Sequence, residues 1–186
     1  MLVGNQQNAA TRNATREYLV AAAIGVAGSV IIVPLIYLQV GLSLLHFYLV
    51  AAVLGFWVLP FALASLLVRR PGATLIAALT IGFISALTSP FGASALGALA
   101  LEGVLFELPF AVLLYRRWSA WQYVISVILL CSFLGWFVPQ AVGSDQQSTI
   151  ASLICALIAT ATGLVLLLVT YRLHTKVLAA GVLRKR

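Results

Sequence analysis

Residues 44–68 read LLHFYLVAAVLGFWVLPFALASLLV, and Arg69-Arg70-Pro71-Gly72 follows at once. The run holds no Asp, Glu, Lys or Arg. About 20 apolar residues in a helix suffice to cross the hydrocarbon core of a bilayer. The run is apolar on every side, without the alternation of a membrane β-strand. A helix satisfies all its backbone polar groups internally, which hydrocarbon requires. Working outward, five more stretches have the same character: 18–40, 73–88, 97–115, 121–141 and 149–171. The whole chain agrees, with 63% hydrophobic residues, 8% charged and a mean hydropathy of +1.11. Soluble domains carry about a quarter charged residues. The expected fold is an all-α integral membrane bundle of six transmembrane helices.

The basic residues test that count. They are Arg12, Arg16, Arg69, Arg70, Arg116, Arg117, Arg172, Lys176, Arg184, Lys185 and Arg186. With six spans they fall in the N-terminal tail, the second–third loop, the fourth–fifth loop and the C-terminal tail, all on one side. The other three loops contain no Lys or Arg. By the positive-inside rule the basic side is cytoplasmic, and so are both termini. The domain division that follows is a polar tail over 1–17, a transmembrane domain over 18–172 and a basic tail over 173–186. The net charge of +7 reads as topology plus attraction to anionic lipid headgroups, not as nucleic-acid binding. Residues 1–17 are polar and the first apolar run is long enough to span, so it reads as an anchor and not a secretory leader. Asn13-Ala14-Thr15 matches a glycosylation sequon but falls on the cytoplasmic side. Cys131 and Cys155 lie within spans and read as packing residues, with no metal or redox pattern and no cofactor expected.

Only four residues are acidic. Glu17 belongs to the tail and Asp145 to an outer loop, which leaves Glu102 and Glu107 in the fourth span. Counting back from Arg116 along a helix puts Glu107 about 13 Å above the inner boundary, near mid-membrane, and Glu102 about 7 Å further out. A carboxylate at that depth costs at least about 2.5–3.5 kcal/mol. It must face the bundle interior, water or a ligand, or stay protonated against a helix carbonyl or a Ser. The two are about 140° apart around a helix, so they should not act as a pair. Trp57 and Trp136 are candidate stacking walls for a flat, cationic ring, with Tyr48 and Gln140 nearer the outer mouth. Packing is the ordinary role of such aromatics. The loops 89–94 and 143–148 are candidate lids. In the first span Ala23 and Ala27, and Ala21, Gly25 and Ser29, recur at four-residue spacing. That makes a smooth stripe, either for packing within the chain or for docking a membrane partner. Several chemistries are excluded. There is no phosphate-binding Gly-Lys-Ser/Thr loop, no His-Glu-x-x-His zinc motif and no catalytic Ser–His set.

Three motifs then carry a family resemblance. They are Gly55-Phe56-Trp57-Val58-Leu59-Pro60, Val68-Arg69-Arg70-Pro71-Gly72-Ala73, and Gly103-Val104-Leu105-Phe106-Glu107 with the basic-aromatic turn Arg116-Arg117-Trp118. In order and spacing, with the ending Gly181-Val182-Leu183, they resemble the S components of energy-coupling factor (ECF) vitamin transporters, of the YkoE-type, thiamine-related group. The resemblance covers residues 18–183. It implies a six-helix S-component-like bundle in the bacterial cell (inner) membrane that binds a vitamin in an outward pocket. It also implies docking, through a first-helix motif like Ala23-x-x-x-Ala27, on a transmembrane coupling subunit (EcfT-like) served by two cytoplasmic ATPases. The missing phosphate loop agrees, since partners would hydrolyse the ATP. The chain departs from the family at Ala78, where a third-helix Glu is usual, at Leu134-Gly135-Trp136-Phe137, where a polar element is common, and at Leu54, where a Tyr is common.

The leading expectation is therefore a non-catalytic, substrate-binding subunit for thiamine or a thiamine-related precursor, with Glu107 as anchor. Two other classes compete with it. One is a membrane scaffold or assembly subunit whose only function is the small-residue stripe. The other is a stand-alone proton-coupled carrier using Glu107 as relay.

Overall fold

The computed structural model describes residues 2–142 and 148–179, and the side chains of 14–142, 148–177 and 179. Residues 143–147 of the candidate outer lid 143–148, with Asp145, and the ending 180–186 lie outside the described residues. Every regular element among the described residues is helical. α1 is Leu2–Ser43, α2 Phe47–Leu54, α3 Val58–Val68, α4 Ala73–Thr88, α5 Ala93–Val112, α6 Ala120–Val142 and α7 Thr149–Ala179. A 3-10 turn, Gly55–Trp57, joins α2 to α3, so that Phe47–Val68 forms one span.

The six expected spans are present. Five are long enough to cross a bilayer, and the sixth, Ala73–Thr88, is a shorter apolar helix. At 1.5 Å per residue α4 is about 24 Å long, less than the ~30 Å hydrocarbon thickness. Two boundaries differ from expectation in a way that affects the site. α1 starts at Leu2, so the polar segment 2–17 is continuous with the first helix. The fourth span runs Ala93–Val112, several residues nearer the N-terminus than 97–115. Leu114 and Tyr115 adopt left-handed φ values of 50° and 55°, and the Tyr115 N–H returns to the Phe110 carbonyl at 2.9 Å. Two consecutive non-glycine residues in that region cost about 1–2 kcal/mol each, and they end the helix abruptly.

The helices form two groups. α4 lies between α1 and α5, while α7 lies between α6 and the second span. Contacts of α1 and α4 with α3, and of α5 with α6, close the groups on each other. Small residues allow the close crossings. A Cβ on Gly25 would sit 2.7 Å from the Ala77 carbonyl oxygen on α4, and one on Gly28 would sit 2.7 Å from Pro60 Cβ. A Cβ on Gly55 would sit 2.5 Å from Thr162 Oγ1, and one on Gly163 2.5 Å from Cys131 Sγ. In hydrocarbon there is little hydrophobic force between helices, so such close backbone approach supplies much of the attraction.

Side-chain bonds show which ends lie together. Arg70 pairs with Glu17, and the Tyr18 hydroxyl donates to the Pro71 carbonyl at 3.1 Å. The 113–118 turn meets the same place through Tyr115 and Glu107. At the other end the Tyr37 hydroxyl donates to the Thr88 carbonyl. The N-terminal, second–third and fourth–fifth basic segments thus share one end of the bundle, the end expected to be cytoplasmic by the positive-inside rule.

Candidate functional site

Among the described residues two carboxyl groups are buried, both on α5 and in different surroundings. Glu107 is 9% exposed. Its Oε1 accepts from the Thr74 N–H at 2.7 Å and the Leu75 N–H at 3.3 Å. Its Oε2 accepts from the Gly72 N–H at 3.0 Å and the Tyr115 hydroxyl at 3.2 Å. The reason lies in the sequence of α4. That helix follows Pro71-Gly72, its N-cap position is Gly72 at φ 79°, and no side chain of its own caps it. A helix start leaves several N–H groups without acceptors. A Ser, Thr, Asp or Asn usually serves them from within the chain. Here α5 supplies the acceptor, and the positive end of the helix dipole favours a carboxylate there. Burial, and then the charge and hydrogen bond of Glu107, push the Tyr115 hydroxyl up to about 12, so it stays protonated and donates.

Glu107 therefore sits near the basic end and not at mid-membrane. The count from Arg116 assumed a straight helix up to that residue, whereas α5 ends at Val112 and the left-handed pair turns the chain back. Sequence reasoning assigned Glu107 to a ligand and missed Tyr115. The signal for both was the absence of any capping side chain in Arg70-Pro71-Gly72-Ala73.

Glu102 is the carboxyl group midway along α5. It is 7% exposed and its Oε2 has no hydrogen-bond partner among the described residues. The Trp57 side chain, 4% exposed, is its neighbour. Trp57 closes the 3-10 turn of the second span, and a 3-10 stretch within a long helix often marks a functional distortion. The turn is tight because α7 is close: Gly55 abuts Thr162 and Gly163, and Gly163 in turn abuts Cys131 and Val58. Second span, α6 and α7 thus meet beside Trp57, and α5 brings Glu102 to it.

The other expected residues have surroundings of their own. Tyr48 is half-buried at the outer start of α2, stacked on His46 with ring centres 4.9 Å apart. Trp136 is 37% exposed on the outer half of α6. The face of α6 carrying Gly135 and Cys131 is the one that packs on α7. The Gln140 amide lies 3.2 Å from Ser152 Oγ and ties α6 to α7. In the first span Ala23 and Ala27 are exposed. Gly25 is not on that face, because it is buried against Ala77 and Thr80. An open apolar groove along α4 and α5, lined by Ile76, Leu79, Thr80, Phe83 and Leu96, includes neither carboxyl group.

Known proteins place this arrangement in a class. Over residues 16–133 the chain matches the family described as ABC-type cobalt transport system, permease component, and it belongs to that family. A solved structure titled "Crystal structure of an S-component of ECF transporter" has the same fold, with a TM-score of 0.80 and 18% identity over 90% of this chain and 86% of that one. No curated protein matches the sequence. The chain is a multi-pass transporter component with an S-component fold, and its class is non-catalytic.

Proposed function

We propose that this chain is the substrate-binding subunit of an ATP-driven ECF-type uptake transporter of the bacterial cell membrane, and that its substrate is thiamine or a thiamine-related precursor. The observation that carries the reading is Glu102. A buried carboxyl group with a free oxygen, midway across a membrane bundle and against an indole, is costly unless something uses it. A cationic or N–H-bearing aromatic ring satisfies both groups, by a charge-assisted hydrogen bond to Glu102 and stacking on Trp57. The S-component fold and the resemblance to the thiamine-related group support the same class.

The family's description favours a second cargo, cobalt. A first-row divalent metal needs several N, O or S ligands in a defined geometry. No group of three His, Cys, Asp or Glu residues comes together among the described residues. The organic ring is therefore preferred over the ion. At Ala78, where the thiamine-related group usually has Glu, the side chain is fully buried and a Cβ on Gly103 would lie 2.7 Å from it. The interior acid of this reading is therefore Glu102.

Energy would come from partners, because the sequence has no phosphate loop and its only lysines are Lys176 and Lys185. The partners would be a transmembrane coupling subunit (EcfT-like) and two cytoplasmic ATPases. Ala23 and Ala27, exposed on α1, are the face proposed for docking. Calorimetry on the purified protein with thiamine, its pyrimidine moiety and Co2+ tests the reading. Thiamine or the pyrimidine should bind, and Glu102→Gln should weaken that binding at least about tenfold. Binding of Co2+ alone, or of none of the three, defeats it.

A further inference from the structure

α5 carries Glu102 into the interior and, five residues later, Glu107 onto the first turn of α4. Each side-chain hydrogen bond described between α4 and its preceding turn on one side and α5 on the other ends on the Glu107 carboxylate. The remaining α4–α5 contact is apolar, with Gly103 set against Ala78 and Leu75. That close packing draws the two helices together, and the Glu107 cap adds a polar contact to it. A carboxylate that accepts from three converging amides at a helix start is directional and charge-assisted. It holds α5 at one depth and one rotation relative to α4. α4 is itself fixed by the close approach of Gly25 on α1 to Ala77 and Thr80. The 113–118 turn adds a second hold. Tyr115 donates to Glu107, and Trp118 stacks on Phe110 at 5.0 Å.

We propose that Glu107 is a positioning residue that, by capping α4 from α5, sets the depth at which Glu102 meets Trp57. The inference rests on the reading of Glu102 and Trp57 as the substrate site. It assigns Glu107 no contact with substrate. Glu102 and Glu107 are about 7.5 Å apart along the axis, so axial slip at the cap passes almost unchanged to Glu102.

The test uses the full chain in lipid nanodiscs, with Trp57 as the sole tryptophan (Trp118→Phe, Trp121→Phe, Trp136→Phe). In this background Glu102→Gln should shift the Trp57 emission. Glu107→Ala should shift it too, and adding Glu102→Gln to Glu107→Ala should produce little further change, because the two groups no longer meet. With thiamine as probe, Glu107→Ala should weaken binding at least about tenfold. If Glu107→Ala does not fold, Glu107→Gln and Tyr115→Phe give the same readout in milder form. A purely local cap behaves differently. It lowers the unfolding temperature and speeds amide exchange at Thr74 and Leu75, while Trp57 emission and its response to Glu102→Gln stay as in the parent. That result overturns the proposal. Failure of the parent protein to bind thiamine would instead count against the proposed substrate, and the emission arm would still decide the role of Glu107.

Discussion

Glu102 and Glu107 are the same side chain on the same helix, and their neighbours give them opposite properties. Glu107 has four donors and no spare bonding capacity aimed at the interior. Glu102 has Trp57 beside it and an oxygen without a partner among the described residues. Replacing Glu102 by Leu should leave the fold intact or stabilise it, because an under-satisfied polar group is removed from an apolar core. Thermal unfolding in detergent would show this, and a clear loss of stability would mean that the free oxygen is bonded in the native bundle. Gly55 makes the opposite case. Its Cβ would enter the α7 backbone, 2.6 Å from the Gly163 nitrogen. Gly55→Val should cost about 1–3 kcal/mol by overpacking, read as a fall in unfolding temperature. Gly41, with nothing within 4 Å of a built Cβ, should accept Ala with almost no change.

Among the helices, α4 is the weak one. It is short, its first turn follows Pro71-Gly72, and its amides depend on a residue distant in sequence. Glu107→Ala should therefore cost about 1–3 kcal/mol, the usual penalty for leaving buried donors unsatisfied. Hydrogen exchange should quicken first at Thr74 and Leu75, while amides near the middle of α7 keep their protection. Uniform acceleration through all helices would show that Glu107 supports the bundle as a whole. Little of this was readable in advance. The span 73–88 was placed to the residue because Gly72 and Ser89 bracket it clearly. The end of the fourth span was misplaced because nothing in Leu113-Leu114-Tyr115 signals two left-handed residues. Leu and Tyr rarely adopt that conformation, and only the contacts of the turn hold them there.

For the whole molecule, orientation and outer surface make the testable statements. A Cys introduced at Arg116 should react with a membrane-impermeant thiol reagent only from the cytoplasmic face, and one at Phe91 only from outside. Labelling of both from one side would break the six-span arrangement. Cys131 and Cys155 are buried, so the parent chain gives a low background. Ala27→Trp should leave substrate binding unchanged, because Ala27 is exposed on α1 whereas Glu102 and Trp57 are buried. The same change should abolish uptake if that face meets a coupling subunit, by filling a surface that only small residues keep smooth. Uptake at the parental rate would remove Ala27 from the docking face.

The amino-acid order alone determined that this is a six-span, all-helical membrane protein with its basic loops on one side. That much is legible because hydrocarbon penalises each charge and each unpaired amide wherever it occurs, so the rule acts residue by residue along the chain. Only the tertiary structure decided which acid faces the interior. It was the turn at Leu114 and Tyr115, and amides on a different helix, that assigned Glu107 to a cap and left Glu102 with Trp57. Those partners are separated by tens of residues in the chain, and no local pattern encodes which donor a buried carboxylate will meet.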